Sequence, residues 1–151
     1  MTVISAAVTS EKIILVEGSY NNDGTITVIK DETFNLEGGD RQLAYVVMHK
    51  RIADRLSQDI EQVVLKASAG GQYAAKTVVL HSAELRGVFL SAVPAGVNVT
   101  QVQKNAVSRN YGSRKVDEYV KDDNFIGEHF SGAGLRKGSR EAAILLLAAR
   151  G

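Results

Sequence analysis

The 151-residue sequence reads as an α/β protein, a mixed five-stranded sheet with helices on both faces. Three observations predict this. Three short β-prone runs come first, joined by tight-turn signals; strand-like runs then alternate with helical periodicity; and two helical stretches are too apolar to stand in water. An antiparallel meander followed by alternating units places helices on both sides of one sheet.

Residues 2–8 (Thr-Val-Ile-Ser-Ala-Ala-Val) are uncharged and partly β-branched, as a central strand requires. Thr9-Ser10 is a turn, and Glu11 to Val16 restarts an apolar run. Asn21-Asn22-Asp23-Gly24 supplies the positive φ values of a tight hairpin turn. Thr25 to Leu36 then alternates, with Ile26, Val28 and Phe34 to one side and Thr25, Thr27 and Lys30 to the other. Gly38-Gly39 closes the meander, and Asp40 can cap a helix whose Tyr45, Met48, Ile52 and Leu56 recur at helical spacing.

Ile60 to Lys66 is the fourth strand, followed by small residues from Ala67 to Gly71 and an apolar helix from about Tyr73 to Val93. Pro94-Ala95-Gly96 stops that helix, and Val97 to Val102 alternates as the fifth strand. Ser113 can cap a short helix that turns Val116, Tyr119 and Val120 inward. Asp122 to Gly138 reads as a loop, its Ser131-Gly132-Ala133-Gly134 stretch mobile. The last helix starts at Gly138 or Ser139 and is apolar on every side from Ala142 to Ala149, so it must be buried.

Apolar residues make up 44% and charged residues 23% of the chain, as in a soluble globular protein. It reads as one domain over 1–151. The absence of cysteine excludes disulfides, thiolate metal sites and cysteine nucleophiles. Met1 to Val8 has no basic n-region, and no apolar run approaches the ~20 residues that span a bilayer. The expected location is cytoplasmic, away from membranes. Charge is unevenly spread: residues 1–65 carry six basic and ten acidic side chains, residues 66–151 twelve and seven. The second half can therefore present a basic face.

Most catalytic patterns find no support. Gly70 to Thr77 resembles a P-loop with Ala75 in place of the second glycine, but it does not follow the first strand and no later strand ends in Asp. Asp122, Asp123, Glu128 and His129 match no metal-ligand spacing. His49 and His81 lack companions, and Ser19, Ser82 and Ser139 lack an adjacent base. Lys104, Arg109, Arg114 and Lys115 form a stretch without acids, and Arg136, Lys137 and Arg140 form a second basic group. Both could neutralise phosphates along one sheet edge; the plain alternative is solvated loops.

The element order resembles the ribonuclease H-like fold, and its details resemble the RuvC-type Holliday-junction resolvases. Lys66-Ala67-Ser68-Ala69-Gly70-Gly71, Ala74-Ala75-Lys76 and His81 to Gly87 resemble that family's strand, small-residue loop and helix. Val99 to Lys104 with Val107, Gly112 and Lys115 resembles the next strand and its basic approach to a helix. The likeness extends to small bacterial RuvC-like proteins with a basic residue ending the fourth strand.

The resemblance implies four carboxylates holding two Mg²⁺ ions about 4 Å apart. Matched residue by residue, the first-strand acid falls near Ala7 and the fourth-strand acid at Lys66. Of the last helix's pair, the first falls near Gly138 and only the second, Glu141, is an acid. Starting the sheet at Ile13–Glu17 would add Glu17 but leave too few strands before the first helix. The expectation is a pseudo-nuclease without a cofactor, serving as a nucleic-acid-binding or assembly module for branched DNA or RNA, with Lys66, Lys104, Arg109, Arg114, Lys115, Arg136, Lys137 and Arg140 as contacts. Two alternatives stand beside it: a Mg²⁺-dependent nuclease that combines Glu141 with Glu84, Asp117 or Glu17, and a protein-interaction subunit. The apolar 77–93 helix is expected to join a homodimer, as in RuvC-type dimers.

Overall fold

A computed structural model of the chain describes residues 2–57, 59–68 and 76–150. Strands β1 (Val3–Val8), β2 (Lys12–Tyr20) and β3 (Ile26–Asn35) form the antiparallel meander. Its hairpin closes through Asn21 N–H to Thr25 O at 2.9 Å, with Gly24 at φ 94°. The Asp23 carboxylate accepts from the Thr25 amide and hydroxyl. Helix α1 (Arg41–Arg55) follows, its Asp40 cap accepting from the amides of Gln42 and Leu43 at 2.8 and 3.3 Å.

Next come β4 (Gln62–Lys66), α2 (Thr77–Ala92) and β5 (Asn98–Val102). A 3₁₀ turn at Lys104–Ala106 leads into α3 (Val107–Tyr111), α4 (Val116–Lys121) and α5 (Asp123–His129). Strand β6 (Phe130–Gly132), a second 3₁₀ turn (Lys137–Ser139) and α6 (Arg140–Arg150) complete the chain. The expected P-loop-like residues 70–75, and any α2 residues before 76, lie outside the described residues.

The sheet runs β5-β4-β1-β2-β3-β6, with β4 parallel to β1 and to β5, and β6 parallel to β3. It has six strands, not the expected five. The sixth comes from the stretch read as a mobile loop, which is instead α5 and an edge strand. Asp122 caps α5 by accepting from the Asn124 and Phe125 amides. Gly132, at φ 87°, lies so close to β3 that an added Cβ would be 2.4 Å from the Val28 carbonyl oxygen. The glycine that looked like flexibility marks a close approach of two backbones.

The alternation expected along β3 also needs correcting. Glu17 pairs with Lys30 but Gly18 pairs with Val28, so Ile29 is the extra residue of a β-bulge and is left exposed. Ile26 and Val28 therefore pack on one face, while Phe34 packs on the other.

Two cores result. On one face, Ile4, Ala6, Leu15, Val63 and Leu65 meet Met48 and Ile52 of α1 and Leu85 and Phe89 of α2. On the other, Val3, Val16, Val28 and Val64 meet α6, whose residues Ala142 to Leu147 are all buried. Helices α3, α4 and α5 enclose α6 with Val107, Tyr119 and Phe125. A helix surrounded in this way has no polar face, which accounts for the continuous apolar run. Among the described residues no helix is long and apolar enough to cross a membrane.

Candidate functional site

Parallel pairing brings the carboxyl ends of β1, β4 and β5 to one edge, where Val8, Lys66 and Val102 end their strands. Side chains alternate across β4, so Val64 and Lys66 both face α6. The first turn of α6 carries Glu141, and Lys66 Nζ lies 2.5 Å from Glu141 Oε1. The contact is an ion pair without directed hydrogen-bond geometry, and that Glu141 oxygen, otherwise buried, has no hydrogen-bond partner. Each side chain remains about a third exposed (33% and 34%).

Three of the four residues matched to a metal site in the sequence, Ala7, Lys66 and Glu141, converge here. Ala6 pairs with Leu65, so the next step of the register sets Ala7 beside Lys66, and Ala7 packs against the α6 core. Ser5, buried on the same face of β1, makes no hydrogen bond through its hydroxyl to the protein. Gly138 lies exposed in the 3₁₀ turn before α6. Methyl, ammonium, hydrogen and a single carboxylate do not fit two Mg²⁺ ions, which require several hard oxygen ligands. Among the described residues no three His, Cys, Asp or Glu side chains are grouped to hold a metal ion.

The acids considered as relocated ligands are dispersed. Glu17 and Glu32 are bound by Arg55 of α1, on the sheet face opposite α6. Glu84 accepts from Tyr45 Oη at 3.0 Å, an α1–α2 contact. Asp117 lines a cleft with Lys104 and Lys115.

Two clefts share Lys66. One, of about 210 Å³, runs from Val8 and Lys66 to Ser82 and Arg86 of α2. The other, of about 240 Å³, joins Lys66 to Gln103, Lys104 and Asn105. A third joins Lys104 to Lys115, so three lysines follow one another along the edge. Arg86 donates to the Lys66 carbonyl oxygen and to Gln101 Oε1, the latter at 2.8 Å. Burial holds its guanidinium pKa below the ordinary value. It ties α2 to the ends of β4 and β5, a role its place in an apolar helix did not disclose.

The basic residues expected at the interface divide into two kinds. Lys104, Arg109, Lys115 and Lys137 are exposed and form no ion pair among the described residues. Arg114, Arg136 and Arg140 are engaged. Arg114 pairs with Asp122 at 3.0 Å and lies over the Tyr119 ring; Asp122 holds its pKa above the ordinary value. Arg140 pairs with Asp123 at 2.8 Å and donates to the Val120 carbonyl.

Arg136 binds Asp31 through both Nε and Nη2, at 3.1 and 2.8 Å. Ser139 Oγ donates to the same carboxylate at 2.5 Å. Burial pushes the Asp31 carboxyl pKa up, but the Arg136 and Ser139 hydrogen bonds outweigh it and hold the pKa below the usual carboxylate range. Asp31 thereby anchors the turn that starts α6. The bulge at Ile29 hid this, because it turns Asp31 to the α6 face with Thr33.

These elements make a ribonuclease H-like α/β fold, the fold of solved RuvC structures. The structure of Thermus thermophilus RuvC in complex with Holliday junction substrate superposes with a TM-score of 0.75 at 15% identity, covering 98% of this chain and 92% of that one. A Thermus thermophilus RuvC structure likewise gives 0.75 at 15% identity, over 99% and 96%. The yeast mitochondrial Holliday junction resolvase gives 0.68 at 8% identity, over 97% of this chain and 76% of that one. Identities this low establish the fold. No protein-family model matches the sequence, and no curated protein does.

Proposed function

We propose that the protein is a catalytically degenerate RuvC-like module that binds branched DNA or RNA. The observation that carries this reading is the Lys66–Glu141 ion pair at the crevice where the resolvase resemblance calls for metal-binding acids. An ammonium there repels Mg²⁺ and attracts phosphate. Lys104 and Lys115, which form no ion pair among the described residues, extend the positive edge, and Arg109 and Lys137 are further exposed cations. The fold is shared with RuvC solved on a Holliday junction. Glu17 and Glu84, engaged on the opposite side of the sheet, argue against a relocated nuclease site.

The test incubates labelled four-way junctions, duplex, single strands and RNA with the protein. Salt-sensitive binding without cleavage in Mg²⁺ or Mn²⁺ is expected. Cleavage abolished by Glu141→Gln would establish the nuclease reading instead.

A specific observation favours self-association as well. Val78 and Leu80 of α2 are exposed, as are Leu43, Val46 and Val47 of α1. Helix α2 buries Leu85, Phe89 and Ala92 inward, leaving an apolar outer surface that fits a homodimer contact. Mass photometry of wild type should give a dimer, and Val78→Asp with Leu80→Asp a monomer. A monomeric wild type at micromolar concentration would remove the dimer.

A further inference from the structure

We propose that the Lys66 ammonium is the resident cation of this crevice, standing where a divalent metal would stand and passing from Glu141 to a phosphate oxygen when nucleic acid binds. This rests on the nucleic-acid reading above and specifies its chemistry. An ammonium has three donors, and here one direction is taken by Glu141 while the clefts toward Arg86 and Lys104 open on the others. The pair is a third exposed and lacks directed hydrogen-bond geometry, so Glu141 holds Lys66 by charge and not by a saturated fork. Three cations, Lys66, Arg86 and Lys104, line the two clefts against the one carboxylate, so the crevice is positive before any ion enters. A phosphodiester arriving at the β4 edge would meet Lys66 and Lys104 together across the cleft they share. Glu141 then acts as an internal competitor for the site, keeping Lys66 placed when no phosphate is present.

This arrangement makes two linked demands. Binding must be independent of divalent metal, and the two members of the ion pair must have opposite effects on affinity. With metal chelated, Lys66→Met should weaken four-way-junction binding about tenfold, the equivalent of one charged contact. Glu141→Gln should tighten it several-fold, because Lys66 loses its competitor. An ion pair that is merely structural would leave both affinities unchanged or lower both together. Mg²⁺ or Mn²⁺ should leave the wild-type affinity and melting temperature unchanged. Lys66→Glu should melt lower than wild type in chelator and recover when Mn²⁺ is added, since two carboxylates would then face each other. A wild type stabilised or bound more tightly with Mn²⁺ would overturn the proposal, as would Glu141→Gln binding more weakly. If the wild type binds no nucleic acid, the parent reading and the phosphate exchange fall together. The melting temperatures still decide the resident cation alone, and a Lys66→Glu variant indifferent to Mn²⁺ would overturn it.

Discussion

Two ion pairs face opposite sides of the same sheet, and they differ in kind. On the α1 side, Arg55 donates through Nε to Glu32 at 2.6 Å and through Nη2 to Glu17. All three side chains are mostly buried, at 16% exposure for Arg55 and 18% for each glutamate. The planar guanidinium is divided between the two carboxylates, which hold its pKa above the ordinary value despite burial. On the α6 side, Lys66 meets Glu141 as a point charge, twice as exposed, with clefts on either side. A guanidinium shared by two carboxylates locks α1 across the bulge between β2 and β3. An open ammonium leaves capacity for something else to bind.

The contrast is most sensitive at Arg55. Arg55→Ala strands two partly buried carboxylates and should cost about 3 kcal/mol. A urea melt checks this, and a thermal melt should fall by about 6–10 °C. Junction affinity of the folded fraction should not change. If Arg55→Ala altered affinity as much as Lys66→Met, the division between a structural and a binding face would fail.

A second, smaller effect belongs to Asp31, which lies on the α6 face and anchors the turn that starts α6. Its folded-state carboxyl titrates below the ordinary value, so its stabilisation is fully present above about pH 4. It is lost as pH falls through the lower folded value. Asp31→Asn should cost about 2 kcal/mol at pH 7 and flatten the acid limb of a stability-against-pH curve measured by urea unfolding. An unchanged acid limb would show that the Arg136–Ser139 anchor does not contribute.

The smallest effect on stability should come from the exposed lysines. Lys104→Ala with Lys115→Ala should change unfolding free energy by less than about 0.5 kcal/mol. The same pair should make the salt slope of junction binding shallower by about 2, near 0.9 for each phosphate that is no longer neutralised. Fluorescence anisotropy at several salt concentrations measures that slope.

How much of this was legible in the sequence depended on whether a local signal had a single structural meaning. Asn21 to Gly24, the Asp40 cap and the apolar run from Ala142 admit few alternatives, and each formed as expected. Lys66 was legible as a charge ending a buried strand, and Glu141 as the acid remaining on the last helix. Their mutual contact depends on the register of β1 with β4 and on where α6 crosses them, which no local pattern encodes. Gly132 was misread because a glycine needed for close approach looks like a glycine in a flexible loop. Phe34 was misplaced because the bulge at Ile29 reverses the alternation without a sequence mark of its own. Arg114, Arg136 and Arg140 read as free cations, but each is held by an acid of the fold, Asp122, Asp31 and Asp123 respectively.

Whether the crevice at Lys66 is a metal-free phosphate-binding edge is decided by one titration. A labelled four-way junction is titrated with wild-type protein in chelator between about 50 and 200 mM salt. The expected result is a linear fall of log affinity against log salt with a slope of about −3.6 to −4.5, as for four or five phosphate contacts, and no change when Mg²⁺ replaces the chelator at matched ionic strength. A flat salt dependence, or binding and cleavage that arise only with Mg²⁺, would contradict it.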